Sequence, residues 1–335
     1  MKKLLPVILL VASSIASAQV GRDSISIVGS STVYPFTTTV AENFGKSGKF
    51  KTPKVESTGT GGGIKLFCAG YGTQHPDVVN ASRRMKQSEL DTCKKNGVTD
   101  IVEVKIGYDG LTVVAGKSNK LSAVTRKEVY LALAKQIPNS AGTMIANPYK
   151  SWKEINPGLP DVKIEVLGPP PTSGTRDSFI ELFMDAGCTV TEADEKVKKA
   201  LCGAIREDGA FIEAGENDNL IIQKLQSNPN ALGILGFSYL DNNRSKAKGL
   251  IIDGTAPAFD TIASGDYAPS RPLFIYVKKA HIGVIPGIKE FLDEFVSVKA
   301  IGEDGYLPNK GLVPLTSQEL TKTRNDVKIL KNLSL

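Results

Sequence analysis

The stretch ISIVGSSTVYPFTTTVAENF at 25–44 joins a short strand to an amphipathic helix through a loop of small hydroxyl residues. Ser24–Val28 is predicted to be the strand, and the spacing of apolar residues predicts a helix over Val33–Phe44 with one apolar face. Pro35 falls in the first turn of that helix, a position that proline favours. The loop at 29–32 is therefore expected to lie at a helix N-terminus that directly follows a strand.

Two further loops have the same design. STGTGGG at 57–63 follows the predicted strand Lys54–Ser57, TSGTR at 172–176 follows the predicted strand Lys163–Leu167, and a helix is predicted after each loop. A helix N-terminus presents free backbone N–H groups and the positive end of the helix dipole, while glycine allows close approach. One such loop alone is most often an ordinary N-cap. Three loops of this kind, each between a strand and a helix, predict a shared site for a small anion.

The glycine run is not of a nucleotide-binding type. It matches neither GxxxxGK[ST] nor GxGxxG, since Lys65 lacks the following Ser or Thr and no ribose-binding acid is suitably placed. The formal net charge of +6 helps to attract anions. No basic run is interleaved with aromatic residues, so nucleic acid is not expected as a partner.

Predicted strands alternate with predicted helices along the whole chain. This pattern favours an α/β architecture with mostly parallel sheets. A length of 335 residues, with 41% hydrophobic and 23% charged residues, is typical of a globular protein with two domains.

The first residues have the features of a secretory signal. Met1–Lys3 is a short basic head, Leu4–Ile15 is almost wholly apolar, and Ala16–Ala18 is a small-residue cleavage site. Residues 1–18 are therefore expected to be a cleaved signal peptide. No later stretch is long and apolar enough to span a bilayer. The chain is therefore expected to be exported, to the periplasm or to the extracellular space.

Four cysteines remain after the predicted signal: Cys68, Cys93, Cys188 and Cys202. An even number in a secreted chain predicts disulfides. The pairs Cys68–Cys93 and Cys188–Cys202 are the most economical connectivity, and two other connectivities remain open. A zinc site is disfavoured because the spacing is not CxxC and the sequence holds only two histidines. We expect neither a metal nor a cofactor.

Several motifs together resemble one family. These are VGSSTVYPF at 28–36, ESTGTGGGIKLF at 56–67, NASRRM at 80–85, SGTRDSF at 173–179, SRPLFIYVK at 270–278 and GEDGYLPNKGLVPL at 302–315. The chain resembles the phosphate-binding subunit of bacterial phosphate ABC importers, a family of periplasmic binding proteins. The resemblance covers essentially the whole mature chain.

This resemblance implies a type II binding-protein fold, in which two α/β lobes clamp phosphate in a cleft. Lobe 1 would comprise 19–106 and 272–335, and lobe 2 would comprise 107–271, with crossings near Val104–Tyr108 and Ser270–Leu273. The implied partners are inorganic phosphate and an inner-membrane ABC permease. The implied protein is a monomer and not an enzyme.

The family's ligand contacts carry over onto matching positions in three loops. They are Ser31 and Thr32 in the first loop, Thr60 in the glycine-rich loop, and Ser173, Gly174 and Thr175 in the third loop. Ser82 is a further candidate donor. The best-described members have an acid after the Ala-Ser of the NASRRM motif, where this chain has Arg83.

Two arginines are candidates for the positively charged residues that bind the anion. The guanidinium of Arg83 can donate hydrogen bonds to two oxygens of an oxyanion at once. Arg176, directly after the Ser-Gly-Thr motif, is the predicted replacement for a family arginine whose place is taken here by Pro169. The alternative for each is an ordinary surface arginine.

With Arg83 in place of the acid, rejection of fully ionised sulfate needs another proton acceptor. The hypothesis is Asp109, beside a predicted lobe crossing, because an unprotonated carboxylate facing sulfate would be repelled and unpaired. The alternative is a turn aspartate beside Gly110. Other functions also remain open: binding of a sulfate-like oxyanion, or an adhesion or scaffold role on the same fold. An enzyme acting on phosphoesters is disfavoured, because no activated nucleophile or two-metal site is visible.

Overall fold

A computed structural model describes residues 22–171, 173–215 and 218–335. The predicted signal peptide at 1–18 and Thr172 of the third loop lie outside the described residues.

The strands follow the predicted alternation with helices. They are β1 Ser26–Gly29, β2 Lys54–Ser57, β3 Val78–Ala81, β4 Ile101–Gly116, β5 Ala123–Val124, β6 Gln136–Pro138, β7 Met144–Ala146, β8 Val166–Gly168, β9 Phe211–Glu213, β10 Leu232–Gly236, β11 Ala247–Gly249, β12 Ile251–Ile252 and β13 Ser270–Lys278.

The helices lie between these strands and after the last one. They are α1 Tyr34–Lys46, α2 Thr60–Phe67, α3 Gln87–Lys95, α4 Arg126–Leu133, α5 Trp152–Ile155, α6 Gly174–Phe179, α7 Glu195–Gly203, α8 Asp218–Ser227, α9 Phe237–Asn242, α10 Phe259–Ser264, α11 Ile288–Phe295, α12 Val298–Ile301 and α13 Ser317–Lys328. A π-helical segment, Ile180–Asp185, continues α6. Within the described ranges, no helix has the length and apolar character needed to cross a membrane.

Most strands form one nine-stranded sheet in the order β2-β1-β3-β13-β4-β10-β8-β9, with β11 also paired to β4. The outer pairs of each half are parallel, as expected for a sheet built from strand–helix units. The pairs made by β4, and the pair of β13 with β3, are antiparallel. The two predicted sheets are thus present as two halves of one continuous sheet.

Strand β4 connects the two halves. It pairs with β13 as far as Gly110 and with β10 from Leu111 onward. The register of β4 and β13 shifts between Leu273 and Phe274, where an irregularity interrupts the ladder. Such irregularities bend a strand and re-aim its side chains. Strands β4 and β13 both run between the two halves of the sheet. They therefore also contribute residues at the junction between the halves.

The first strand–helix unit packs as its apolar spacing predicts. The side chains of Phe36, Val40 and Phe44 are buried on one face of α1, and Val33 is buried at its N-cap. The ring of Phe44 meets that of Phe291 on α11 edge-on, with centroids 5.6 Å apart. This packing fixes α1, and therefore the loop at its N-terminus, on the sheet.

Both economical disulfides are confirmed. Cys68–Cys93 links the end of α2 to α3, and Cys188–Cys202 links the segment after the π-helix to α7. Each bond holds a helix close to an element that contributes to the site described next.

Candidate functional site

The three predicted loops meet at the junction between the two halves of the sheet. A Cβ added to Gly174, the first residue of α6, would lie 2.7 Å from the carbonyl oxygen of Ser31, so only glycine fits this contact. Two cavities, of about 560 Å³ and about 520 Å³, lie beside the first loop. Ser31 and Thr32 line both cavities, so the first loop forms their shared wall.

The first loop is shaped by close backbone packing. Gly29 has a φ of +129°, and a Cβ there would lie 2.2 Å from the carbonyl oxygen of Asn80, which excludes any larger residue. The N–H of Tyr34 donates to the carbonyl oxygen of Ser30 at 3.0 Å, which closes the turn into α1. This turn directs the side chains of Ser31 and Thr32 towards the other half of the molecule.

The second loop meets the NASRRM motif. Gly59, with a φ of +71°, precedes α2, whose first residue is Thr60. The Thr60 Oγ1 accepts from the backbone N–H of Ser82 at 3.1 Å and lies 3.0 Å from the Ser82 Oγ. Both side chains line the larger cavity. The structure thus brings two of the predicted donors side by side.

The third loop caps α6. Ser173 is the N-cap, and its Oγ accepts from the backbone N–H of Thr175 at 3.2 Å. Ser173, Gly174 and Thr175 line the smaller cavity, whereas Thr60 and Ser82 line the larger one. The predicted contacts are therefore divided between two cavities that share the first loop.

The two predicted arginines have partners outside these cavities. Arg83 forks the carboxylate of Glu89, with Nη–Oε distances of 2.7 and 2.9 Å, and this pairing raises the pKa of the guanidinium. Arg176 donates to the carbonyl oxygen of Pro169 at 2.9 Å and stacks on Phe211, 4.6 Å from the ring centroid. Among the described residues that line the two cavities, neither arginine appears. Their roles as phosphate contacts stay predictions.

Arg271, which sequence reasoning did not single out, lies at the centre of the junction. Its Nη2 donates to the Oγ1 of Thr32 at 3.0 Å and to the Oγ of Ser178 at 2.9 Å. Its Nη1 donates to the carboxylate of Glu181. The side chain is only 12% exposed, so this guanidinium is a nearly buried positive charge beside the first loop. The available signal was its position in SRPLFIYVK, within the predicted crossing near Ser270–Leu273.

Asp109 lies on β4 beside the same junction, as expected. Its Oδ2 accepts from the Oγ of Ser178 at 2.9 Å and lies 3.4 Å from the Nε of Arg271. The residue also lines the smaller cavity. Asp109 and Arg271 therefore form an ion pair at one wall of the cleft, where a carboxylate can accept a proton from a ligand. Its role in selectivity stays a prediction.

Three lysines add positive charge around the cavities. Lys196 and Lys199 of α7 line the larger cavity, and Lys310 lines the smaller one. Ammonium groups at the rim of a cleft raise the local concentration of anions and their rate of entry. These lysines stand beside the carboxylates of Asp177, Glu181 and Asp109, which line the same two cavities.

Two α/β halves, joined by shared strands and facing each other across a cleft lined by helix N-termini, define a two-lobed solute-binding protein. The chain belongs to the PBP superfamily: the profile of the PBP superfamily domain matches residues 14–299.

Similar proteins support this assignment along most of the chain. Protein SphX from Synechococcus elongatus is 34% identical over 278 residues, which is 80% of this chain and 72% of that protein. The phosphate-binding protein PstS of Staphylococcus haemolyticus is 30% identical over 79% of this chain and 73% of its own length. The crystal structure of a possible phosphate-binding protein from Planctomyces limnophilus superposes with a TM-score of 0.75, at 30% identity, and covers 92% of this chain and 99% of that one.

Proposed function

We propose that this protein binds inorganic phosphate between its two lobes and delivers it to an ABC-type membrane permease. One observation carries the proposal: hydroxyl-rich helix N-termini from both lobes meet at a single contact, where Gly174 touches Ser31. Such termini bind anions through free N–H groups and the helix dipole. The PstS relatives are named as phosphate-binding proteins, which supports phosphate as the anion.

The proposed division into lobes is that expected from the sequence, with 19–106 and 272–335 in lobe 1 and 107–271 in lobe 2. Strands β4 and β13 run between the lobes and are the proposed hinge. Phosphate that contacts both lobes binds the closed form more tightly than the open form and so favours closure. The permease would recognise the closed form and open it to release the anion.

Within the cleft, the proposed donors are the hydroxyl and backbone N–H groups of the three loops. Ser31, Thr32 and Thr60 would serve from lobe 1, and Ser173 to Thr175 from lobe 2. Arg271 supplies a positive charge from the hinge. Asp109 would accept the proton that phosphate carries near neutral pH, whereas sulfate brings no proton to share.

The proposed location is the periplasm, reached by a signal peptide at 1–18 that is cleaved on export. The protein would act there as a monomer that carries its ligand without transforming it. The PstS relatives are named as phosphate-binding proteins, which supports binding of the ligand without catalysis.

The experiment is a calorimetric titration of the refolded, anion-stripped protein with phosphate, sulfate and arsenate at two pH values. Tight binding of phosphate with no heat from sulfate supports the proposal. Equal or stronger binding of sulfate would assign the site to fully ionised oxyanions. Absence of binding for all three anions would favour an adhesion or scaffold role on this fold.

A further inference from the structure

Two carboxylates on one side of a single helical segment accept hydrogen bonds from the cleft. The Oδ2 of Asp177, on α6, accepts from the Oγ of Ser31 at 2.5 Å. Glu181, four residues later in the π-helical continuation, accepts from the Nη1 of Arg271. Residues four apart lie side by side along a helix, and both of these line the larger cavity. Asp177 and Glu181, both in the proposed lobe 2, therefore accept hydrogen bonds from Ser31 in the first loop and from Arg271 in the proposed hinge.

Arg271 and Glu181 contact each other, but their side chains differ in how freely they can move. The side chain of Arg271 is 12% exposed and its Nη2 is also bound by Thr32 and Ser178, so the guanidinium has a fixed position. The side chain of Glu181 is 45% exposed. A half-exposed glutamate can turn into solvent at small cost, because water replaces its lost hydrogen bond. Glu181 is the partner that can be displaced.

Ser31 and Arg271 cannot donate the same hydrogen bonds to a carboxylate and to a phosphate at the same time. A serine hydroxyl has one hydrogen to donate, so Ser31 bonds either Asp177 or an anion. A phosphate oxygen at Arg271 would also face the like charge of Glu181. Both carboxylates offer the same acceptor chemistry as phosphate, namely anionic oxygens that take charge-assisted hydrogen bonds.

We propose that Asp177 and Glu181 act as a built-in competitor of the ligand, with Glu181 as the main element. This inference rests on the proposed phosphate site and concerns its regulation. Phosphate has to displace the carboxylates as it reaches Ser31 and Arg271, and the carboxylates return to these donors as phosphate leaves. The pair lowers the affinity and speeds release, because the free energy of its contacts is given up on binding. Faster release is useful to a protein that has to pass its ligand to a permease.

The test compares three variants of the full chain by calorimetric titration with phosphate and by stopped-flow dissociation. Glu181→Gln removes the charge, and we expect phosphate affinity to rise by about fivefold or more, the lower end of typical couplings between linked ligands. Glu181→Asp keeps the charge but is one methylene too short to reach Arg271, and it is expected to tighten binding as well. Glu207→Gln is the control, since Glu207 is an 85% exposed carboxylate of lobe 2 that pairs only loosely with Lys135, at 3.9 Å.

The outcomes separate this inference from the proposed function. Tighter binding and slower dissociation in both Glu181 variants, with Glu207→Gln within twofold of wild type, support competition. Unchanged or weaker binding in Glu181→Gln overturns it. A rise in phosphate affinity in Glu181→Gln but not in Glu181→Asp also overturns the competition. Repulsion between the carboxylate and phosphate would then explain the effect without any contact to Arg271. Absence of phosphate binding by the wild type would instead refute the proposed function itself.

Discussion

Arg271 and Thr32 are 239 positions apart in the sequence and are joined by a hydrogen bond of 3.0 Å. The same Nη2 donates to Ser178 of α6 at 2.9 Å. One nitrogen of Arg271, on strand β13, thus bridges hydroxyl groups from the two sides of the cleft. In the proposed mechanism, separation of the two lobes would break at least one of these two hydrogen bonds.

The three arginines near the loops are predicted to differ in their importance for phosphate. Arg271→Lys keeps the charge but loses the planar fork, so phosphate affinity should fall by about tenfold or more, as for the loss of a charge-assisted hydrogen bond. Arg83→Lys and Arg176→Lys should have smaller effects, because those guanidinium groups bond Glu89 and Pro169. The measurement is the dissociation constant of each variant by calorimetry. A larger loss in Arg176→Lys than in Arg271→Lys would contradict this order.

Asp109→Asn is predicted to weaken discrimination rather than folding. An amide also offers the ligand an N–H donor, so the variant should bind sulfate measurably while its affinity for phosphate falls. Titrations with both anions check this. Asp266→Asn, at an exposed position shortly after α10, is the matched control and should leave both affinities unchanged. If Asp109→Asn keeps phosphate binding and sulfate rejection intact, Asp109 has no part in selectivity.

A third prediction concerns acid stability where α13 contacts strand β4 of the proposed hinge. Burial alone would raise the pKa of Glu319, but hydrogen bonds from Lys105 at 2.8 Å and Tyr108 at 2.7 Å lower it to about 2. Since the folded pKa lies below the unfolded value of about 4.3, the stabilisation is present above pH ~4.3 and is lost as the pH falls through about 2.

Glu319→Gln should therefore lower the melting temperature at pH 6, and its difference from wild type should shrink as the pH falls to 2. Thermal unfolding across this range is the measurement. Glu290→Gln, an exposed position on α11, serves as the control. A difference that stays constant with pH would show that the ionised form of Glu319 is not what stabilises the contact between α13 and β4.

The disulfides give a prediction for stability. Cys68 and Cys93 are 25 positions apart, and Cys188 and Cys202 are 14 apart. Loops of this size correspond to about 3 kcal/mol of stabilisation each, mainly through restriction of the unfolded chain. Replacing either pair by serines should lower the midpoint of urea unfolding. An unchanged midpoint for one pair would mean that its bond does not constrain the unfolded chain.

Much of the fold was predictable because local patterns and tertiary packing agree. The apolar spacing of 33–44 predicted α1, which begins one residue later at Tyr34. The start of α2 was missed by four residues. Glycine is a poor helix former, so Gly61 to Gly63 concealed a first turn that tertiary contacts stabilise.

The site was predictable where its contacts lie next to each other in the sequence. The three loops and Asp109 were identified because a hydroxyl-rich helix start, or a position beside a crossing, is visible locally. Arg271 was not identified although it stands within the predicted crossing at Ser270–Leu273, because no local pattern shows that it meets Thr32 and Ser178, 239 and 93 positions away. Arg176 has the local features of an anion contact, but the ring of Phe211 and the carbonyl of Pro169 hold it elsewhere.

The most direct test of the account is a crystal structure of the anion-stripped protein after addition of phosphate. We predict phosphate oxygens at about 3 Å, the usual hydrogen-bond length, from Ser31, Thr32 and Arg271, with Glu181 turned away from Arg271. Phosphate bound beside Arg176 and Phe211, with Arg271 still paired to Glu181, would contradict the account.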